Sequence, residues 1–263
     1  MRVVASSEAV AVEVKRPGEP ESRRFDYIGS PGLIDANPQA FLVDRLFAGA
    51  RIDPHFHDID QFQVVVAGDC RMGKKAAEPV TFQYADAYTP YGPIVGADRG
   101  FAFFTLRPIA SGGFFAMPGN RHNMPGRAGR NLAGRFQTDR PLPPAGAVER
   151  ETLLDPQADG VDAVGLRLGP GARADGPASV GGGQYYLVCA GEAAVEGRTL
   201  AAQSLIHVAA GEPAPAFTAG PAGTAILALQ FARPSDRPGS DPAERARRDP
   251  TAYKRRPDKS AAH

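Results

Sequence analysis

Residues 45–69 read RLFAGARIDPHFHDIDQFQVVVAGD, and most of this stretch recurs later in the chain. Arg45–Asp53, RLFAGARID, returns as RLGPGARAD at Arg167–Asp175, with six of nine positions identical at an offset of 122. Gln61–Asp69, QFQVVVAGD, returns as QYYLVCAGE at Gln184–Glu192, at an offset of 123. A looser third match sets Leu106-Arg107-Pro108 against Ala232-Arg233-Pro234, at an offset of 126. Three matches in one order at nearly constant spacing describe a module of about 100 residues present twice, whereas a solenoid needs several shorter repeats.

Each copy reads as β. Gln61–Val66, Thr81–Tyr84, Phe101–Leu106, Gln184–Cys189, Leu205–Val208 and Thr224–Phe231 are short apolar runs rich in β-branched or aromatic residues. Glycine (30) and proline (25) supply about a fifth of the 263 residues and separate those runs, a pattern of strands and turns. The expected division is a first barrel over 1–110, a Gly/Pro/Arg-rich connection over 111–146, a second barrel over 147–234 and a loose polar tail over 235–263. In the tail, Asp241-Pro242-Ala243-Glu244 has the form of a capping box opening a short helix. Val3–Ala5 and Val10–Lys15 are strand-like and precede the first module. Such a strand has three places to go: its own barrel, the second barrel, or a neighbour's open edge.

Within the first copy, His55 and His57 lie two residues apart, so on a strand both imidazoles face the same way, toward the barrel interior. Gln61 and Gln63 share that parity. Gly49, five residues, His55-x-His57, three residues, Gln61, six residues and Gly68 resemble the first cupin motif, G-x5-H-x-H-x3-E-x6-G, at every spacing, with glutamine where the motif has glutamate. Pro90-Tyr91-Gly92-Pro93-Ile94-Val95 is similar to the opening of the second cupin motif, P-x-G-x2-H, with Val95 in the histidine position. With the duplication, the chain resembles a bicupin, which implies an all-β fold of two jelly-roll (double-stranded β-helix) barrels. In the second copy, Pro177 and Ser179 lie near the positions of the paired histidines, and Gln184 alone remains of the motif's ligands.

The resemblance implies a site in the first barrel. Two readings stand side by side. In one, His55, His57 and Gln61 hold a divalent metal (Fe, Mn, Ni or Zn), and the protein is an enzyme of oxygenase, isomerase or lyase type acting on a small polar organic molecule. In the other, the imidazoles hydrogen-bond such a molecule without metal, and the protein is a non-catalytic binding or scaffold bicupin. Gln63, Tyr84, Tyr88, Tyr91, Arg51 and Arg107 are the further pocket candidates. His122 and His207 are the remaining sources of a third imidazole.

Thirty basic against 29 acidic side chains argue against a nucleic-acid binder. No apolar run approaches the roughly 18 residues that span a bilayer, and the first residues carry no targeting pattern, so a cytoplasmic protein is expected. Cys70 and Cys189 form no framework of disulfides or metal ligands. Open β edges suggest a homodimer.

Overall fold

The computed structural model of the chain describes residues 1–32, 37–126 and 129–240. Nineteen strands appear among these residues. The first half holds β1 Arg2–Val4, β2 Val10–Val14, β3 Ser22–Ile28, β4 Gln39–Arg45, β5 Arg51–Ile52, β6 His55–Phe56, β7 Gln61–Met72, β8 Lys75–Ala77, β9 Thr81–Ala85, β10 Ile94–Arg107, β11 Phe115–Ala116 and β12 Asn131–Arg135. The second holds β13 Val148–Leu154, β14 Asp162–Leu168, β15 Arg173–Asp175, β16 Gln184–Val195, β17 Arg198–Ala201, β18 Leu205–Val208 and β19 Ala216–Gln230. One sheet runs β12-β9-β7-β10-β4-β3-β2 and the other β1-β18-β16-β19-β14-β13. Strand for strand the orders match, with β2 as an addition at one edge.

The duplication is visible in the ladder register. Phe62 pairs with Leu106 as Tyr185 pairs with Leu229, and Gly68 pairs with Phe101 as Gly191 pairs with Thr224, all at an offset of 123. Gly68 and Gly191 sit at φ +68° and +70°, and a Cβ on either would lie 2.1 Å from a carbonyl oxygen of the facing strand. Only glycine fits there.

Alternate residues of these strands serve two cores. Phe62, Phe104 and Leu106 of the first copy meet Tyr185, Leu187, Leu229 and Phe231 of the second in one cluster between the barrels. The opposite parity fills the interiors: Val65, Phe101 and Phe103 in the first, Tyr186, Val188, Ile226 and Phe217 in the second. A one-residue difference in register inverts a side chain's face. Arg45 and Arg167, matched in sequence at offset 122, therefore differ in structure. Arg45 borders the interior of the first barrel, whereas Arg167 lies 4.4 Å from the ring centre of Phe136 beside the inter-barrel cluster.

The connection does more than join the copies. Its β12 pairs with β9, and its β11 pairs with β6. The N-terminal strand takes the second of its three possible courses: β1 pairs with β18 of the second copy, Val3 opposite Ile206, in the place that β12 holds in the first. The N-terminal amine completes the attachment at 2.7 Å from Glu212. Residues 235–240 of the stretch read as a loose tail pack on the first barrel. Arg237 donates to both Asp60 oxygens at 2.7 and 2.6 Å, beside Asp86, which Arg130 also engages. Two buried carboxylates need cationic partners, and these segments supply them. The proposed capping box at 241–244 lies outside the described residues. No helix among them is long and apolar enough to cross a membrane.

Candidate functional site

A cavity of ≈ 270 Å³ opens inside the first barrel. Its polar wall is formed by His55, His57, Gln63, Tyr91, Thr105 and Arg107, and its apolar wall by Phe41, Val43, Ile52, Phe103 and Phe114. The polar groups arrive from separate elements. His55 N–H and C=O exchange backbone bonds with Tyr91 at 3.1 and 3.0 Å, which sets the phenol beside the imidazole. Gln61 and Gln63 extend inward from β7, and Arg107 is the last residue of β10.

The hydrogen bonds fix both tautomers. His55 Nδ1–H donates to the Asp53 carbonyl at 2.7 Å, so its Nε2 accepts the Tyr91 hydroxyl proton at 2.7 Å. Both glutamines turn their amide N–H groups to the Tyr91 oxygen, Gln63 at 3.3 Å and Gln61 closer still. His57 Nδ1–H donates to the Gly113 carbonyl at 2.5 Å, leaving its Nε2 to accept from Arg107 Nη2 at 3.1 Å. Arg107 also donates from Nε to Gln61 Oε1 at 3.3 Å and from Nη1 to Gln39 Oε1 at 2.6 Å. Burial, aided by the Arg107 charge, lowers the His55 pKa to about 4 and holds that of His57 well below its ordinary value. Both rings are neutral at pH 7. Burial likewise lowers Arg107 to about 10 and raises Tyr91. Arg107 is therefore the charged group at the cavity floor.

Of the residues expected from sequence, the structure brings together His55, His57, Gln61, Gln63, Tyr91 and Arg107. Three others lie elsewhere. Tyr84 pairs across the ladder with Phe62, so it shares that residue's outward face and donates to Asp60 at 2.8 Å between the barrels. Tyr88, at φ 60°, turns its ring toward Phe56, outside the cavity wall. Arg51 is half exposed and pairs with Asp53 at 2.8 Å. His207 packs on Tyr185, ring centres 4.8 Å apart, and His122 sits in a 3-10 turn at the surface, so neither supplies a third imidazole here.

Ser111, Gly113 and Phe114 are further lining residues of this cavity that the sequence concealed inside a stretch read as a connection. Ser111 donates to Asp58 at 2.8 Å, while the Gly113 carbonyl orients His57. Phe114 stacks on His55, centroids 4.1 Å apart, and at 53 % exposure stands at the cavity mouth. Gln39 was equally hidden, since its partner Arg107 lies 68 residues on.

The expected metal ligands can be tested against this geometry. His57 Nε2 and Gln61 Oε1 accept from a guanidinium, and His55 Nε2 accepts from a phenol. A dication bound by those lone pairs would displace these bonds and face a fixed like charge, with no carboxylate among its ligands. Among the described residues no cluster of three or more His, Cys, Asp or Glu side chains could hold a metal. As folded, the lone pairs expected to bind a divalent ion are engaged by Tyr91 and Arg107, so the site does not fit such an ion without displacing those donors.

No model of a known protein family matches the chain, and no curated protein matches it. Solved structures do. Bacillus subtilis oxalate decarboxylase, a protein with Mn(II) centres, aligns at 12 % identity and TM-score 0.57, covering 89 % of this chain and 78 % of that one. Quercetin 2,3-dioxygenase from Acinetobacter baumannii aligns at 14 % identity and TM-score 0.51, over 86 % and 77 %. The Escherichia coli pirin YhhW, in complex with nickel(II), aligns at 11 % identity and TM-score 0.51, over 88 % and 99 %. The likeness shows the fold. This is a protein of the cupin fold, all-β, in the two-barrel bicupin arrangement.

Proposed function

We propose that the protein binds a small polar organic molecule inside its first barrel, through direct hydrogen bonds and without a resident metal. The observation that supports this most is the convergence of buried polar groups from β6, β7, β10 and the loops at His57 and Tyr91 on one side of a cavity whose other side is aromatic and aliphatic. Ligand sites have this composition: mostly apolar, with a few fixed polar groups that set orientation. The Tyr91–His55 pair adds a defined proton path, from the phenolic oxygen to the imidazole Nε2 that accepts its proton, that a bound molecule could use.

A second reading, a metal-dependent oxygenase or related enzyme, is favoured by the Mn(II) and nickel(II) proteins and the dioxygenase among the structural relatives. Elemental analysis of protein purified without a histidine tag separates the two. Less than a tenth of an equivalent of Fe, Mn, Ni or Zn is expected; one equivalent, with calorimetric rebinding after chelation, would establish the metal reading. We also propose a homodimer formed through the open edge at β2. Light scattering returning the monomer mass of 27.7 kDa at micromolar concentration would remove it.

A further inference from the structure

We propose that Arg107 occupies the role of the metal ion in this barrel, and that the cavity takes an organic carboxylate whose apolar body carries a hydroxyl group. This rests on the cavity being a ligand site, and adds the charge and the hydrogen-bonding pattern of what enters it.

The charge comes from an imbalance. Four other arginines line the cavity, and each has a carboxylate beside it: Arg16 and Arg45 with Glu19, Arg23 with Asp44, Arg24 with Asp26. Arg107 is the exception. Its three hydrogen-bond partners, Gln61, Gln39 and His57, are neutral acceptors. Asp58 attracts it from farther away but is held by Ser111 and the Gly112 N–H, each at 2.8 Å. No carboxylate among the described residues reaches ion-pair distance. A guanidinium has five N–H groups, so two of them remain for a ligand. A carboxylate matches that fork in charge and shape, whereas a metal ion matches neither.

The hydroxyl comes from an orphan. Gln63 spends its amide N–H on Tyr91, and its buried Oε1 has no hydrogen-bond partner. Such an atom is costly unless something donates to it, and Gln63 lines the cavity. A ligand hydroxyl is a donor of the right kind. The backbones of Gln61, which meets Arg107, and Gln63 are roughly 7 Å apart on one strand face. The acid and the hydroxyl are therefore read at two separate points of one small body. Phe41, Phe103 and Phe114 supply aromatic walls for it.

The test is calorimetry on the full chain in EDTA, with benzoate, 3- and 4-hydroxybenzoate and the corresponding hydroxybenzamides. At least one hydroxybenzoate should bind about tenfold or more tightly than its amide, since a charge-assisted bond is lost in the amide, and more tightly than benzoate. Arg107→Gln should erase the preference for acid over amide. Gln63→Leu should erase the preference for the hydroxyl while keeping that for the acid. Equal affinity for acid and amide overturns the proposal. So does the failure of every acid to bind at millimolar concentration, or binding that appears only when Mn²⁺ or Ni²⁺ replaces EDTA. A bulky side chain in the cavity wall, Val43→Trp, isolates the underlying reading. If acids and amides bind alike and both are lost in this variant, the cavity stands as a ligand site and only the anion assignment falls. If hydroxybenzoate binding survives Val43→Trp unchanged, the cavity itself is not the site.

Discussion

The two barrels share a strand order and a register, yet a cavity opens in the first where the second sets a buried tyrosine. At the position of Gln63 the second barrel has Tyr186, whose hydroxyl reaches Gln184 at 2.7 Å and the Pro177 carbonyl at 3.0 Å. At the position of Arg107 it has Gln230, whose amide N–H groups go to the Gly183 and Phe231 carbonyls. Filling a barrel thus takes one large aromatic and the removal of one charge. The difference teaches that the cavity is not a consequence of the fold, because the fold closes when Tyr186 occupies it. The first copy keeps space and a buried cation at the cost of burying polar groups, a pattern found at functional sites.

That contrast can be attacked from both sides. The largest effect is expected from opening a cavity in the second barrel. Tyr186→Ala should cost about 3–5 kcal/mol by denaturant unfolding, the range for a large buried aromatic. Gln63→Ala, at the border of an existing cavity, should cost under about 1 kcal/mol. Equal losses would mean that the two interiors are packed alike.

Acidification comes next. The folded pKa of His55 is depressed to about 4, so between about pH 6.5 and 4 the unfolded chain binds the proton that the folded one refuses. Stability should therefore be flat above pH 6.5 and fall as pH drops through that window, by about 3 kcal/mol from His55 alone. His57 adds to this in the same direction, and so does His207, lowered to about 4 by burial. The double variant His55→Gln/His57→Gln should flatten the acid limb, leaving the His207 contribution. An unchanged limb would locate the acid sensitivity outside the first barrel.

A smaller effect is expected at the borrowed edge. Deleting residues 1–5 removes β1 from the second sheet and should lower the thermal midpoint by several degrees, since Val3 and Ala5 pack on the second barrel's core. No change would show that β18 tolerates a bare edge. The least effect belongs to Arg51→Ala, an exposed ion pair, within about 0.5 kcal/mol.

Much of this was legible in the sequence. The repeat spacing gave the duplicated barrels, and strand parity placed His55, His57, Gln61 and Gln63 on one inward face. Errors came where local patterns could not report pairing. The match of Arg107 to Arg233 at offset 126 suggested a structural role common to both copies, but the ladder aligns Arg107 with Gln230 and leaves the cation unmatched. Tyr84 was assigned by parity along its own strand, when its face is set by the partner Phe62. The contact of Gln61 with Arg107 could not be read from the sequence either, because Arg107 lies 46 residues away and the two meet only once the barrel closes.

The crossing of β1 to β18 also makes the chain's halves interdependent. Arg2 lies opposite His207, so β1 stays unpaired until more than two hundred residues have followed it. Contacts of such sequence separation close late in folding. Split within the connection between the barrels, the protein would yield a first fragment carrying a strand with no sheet and a second with a sheet edge lacking its strand. Neither fragment is a finished barrel pair alone, and each holds what the other needs to assemble from two polypeptides.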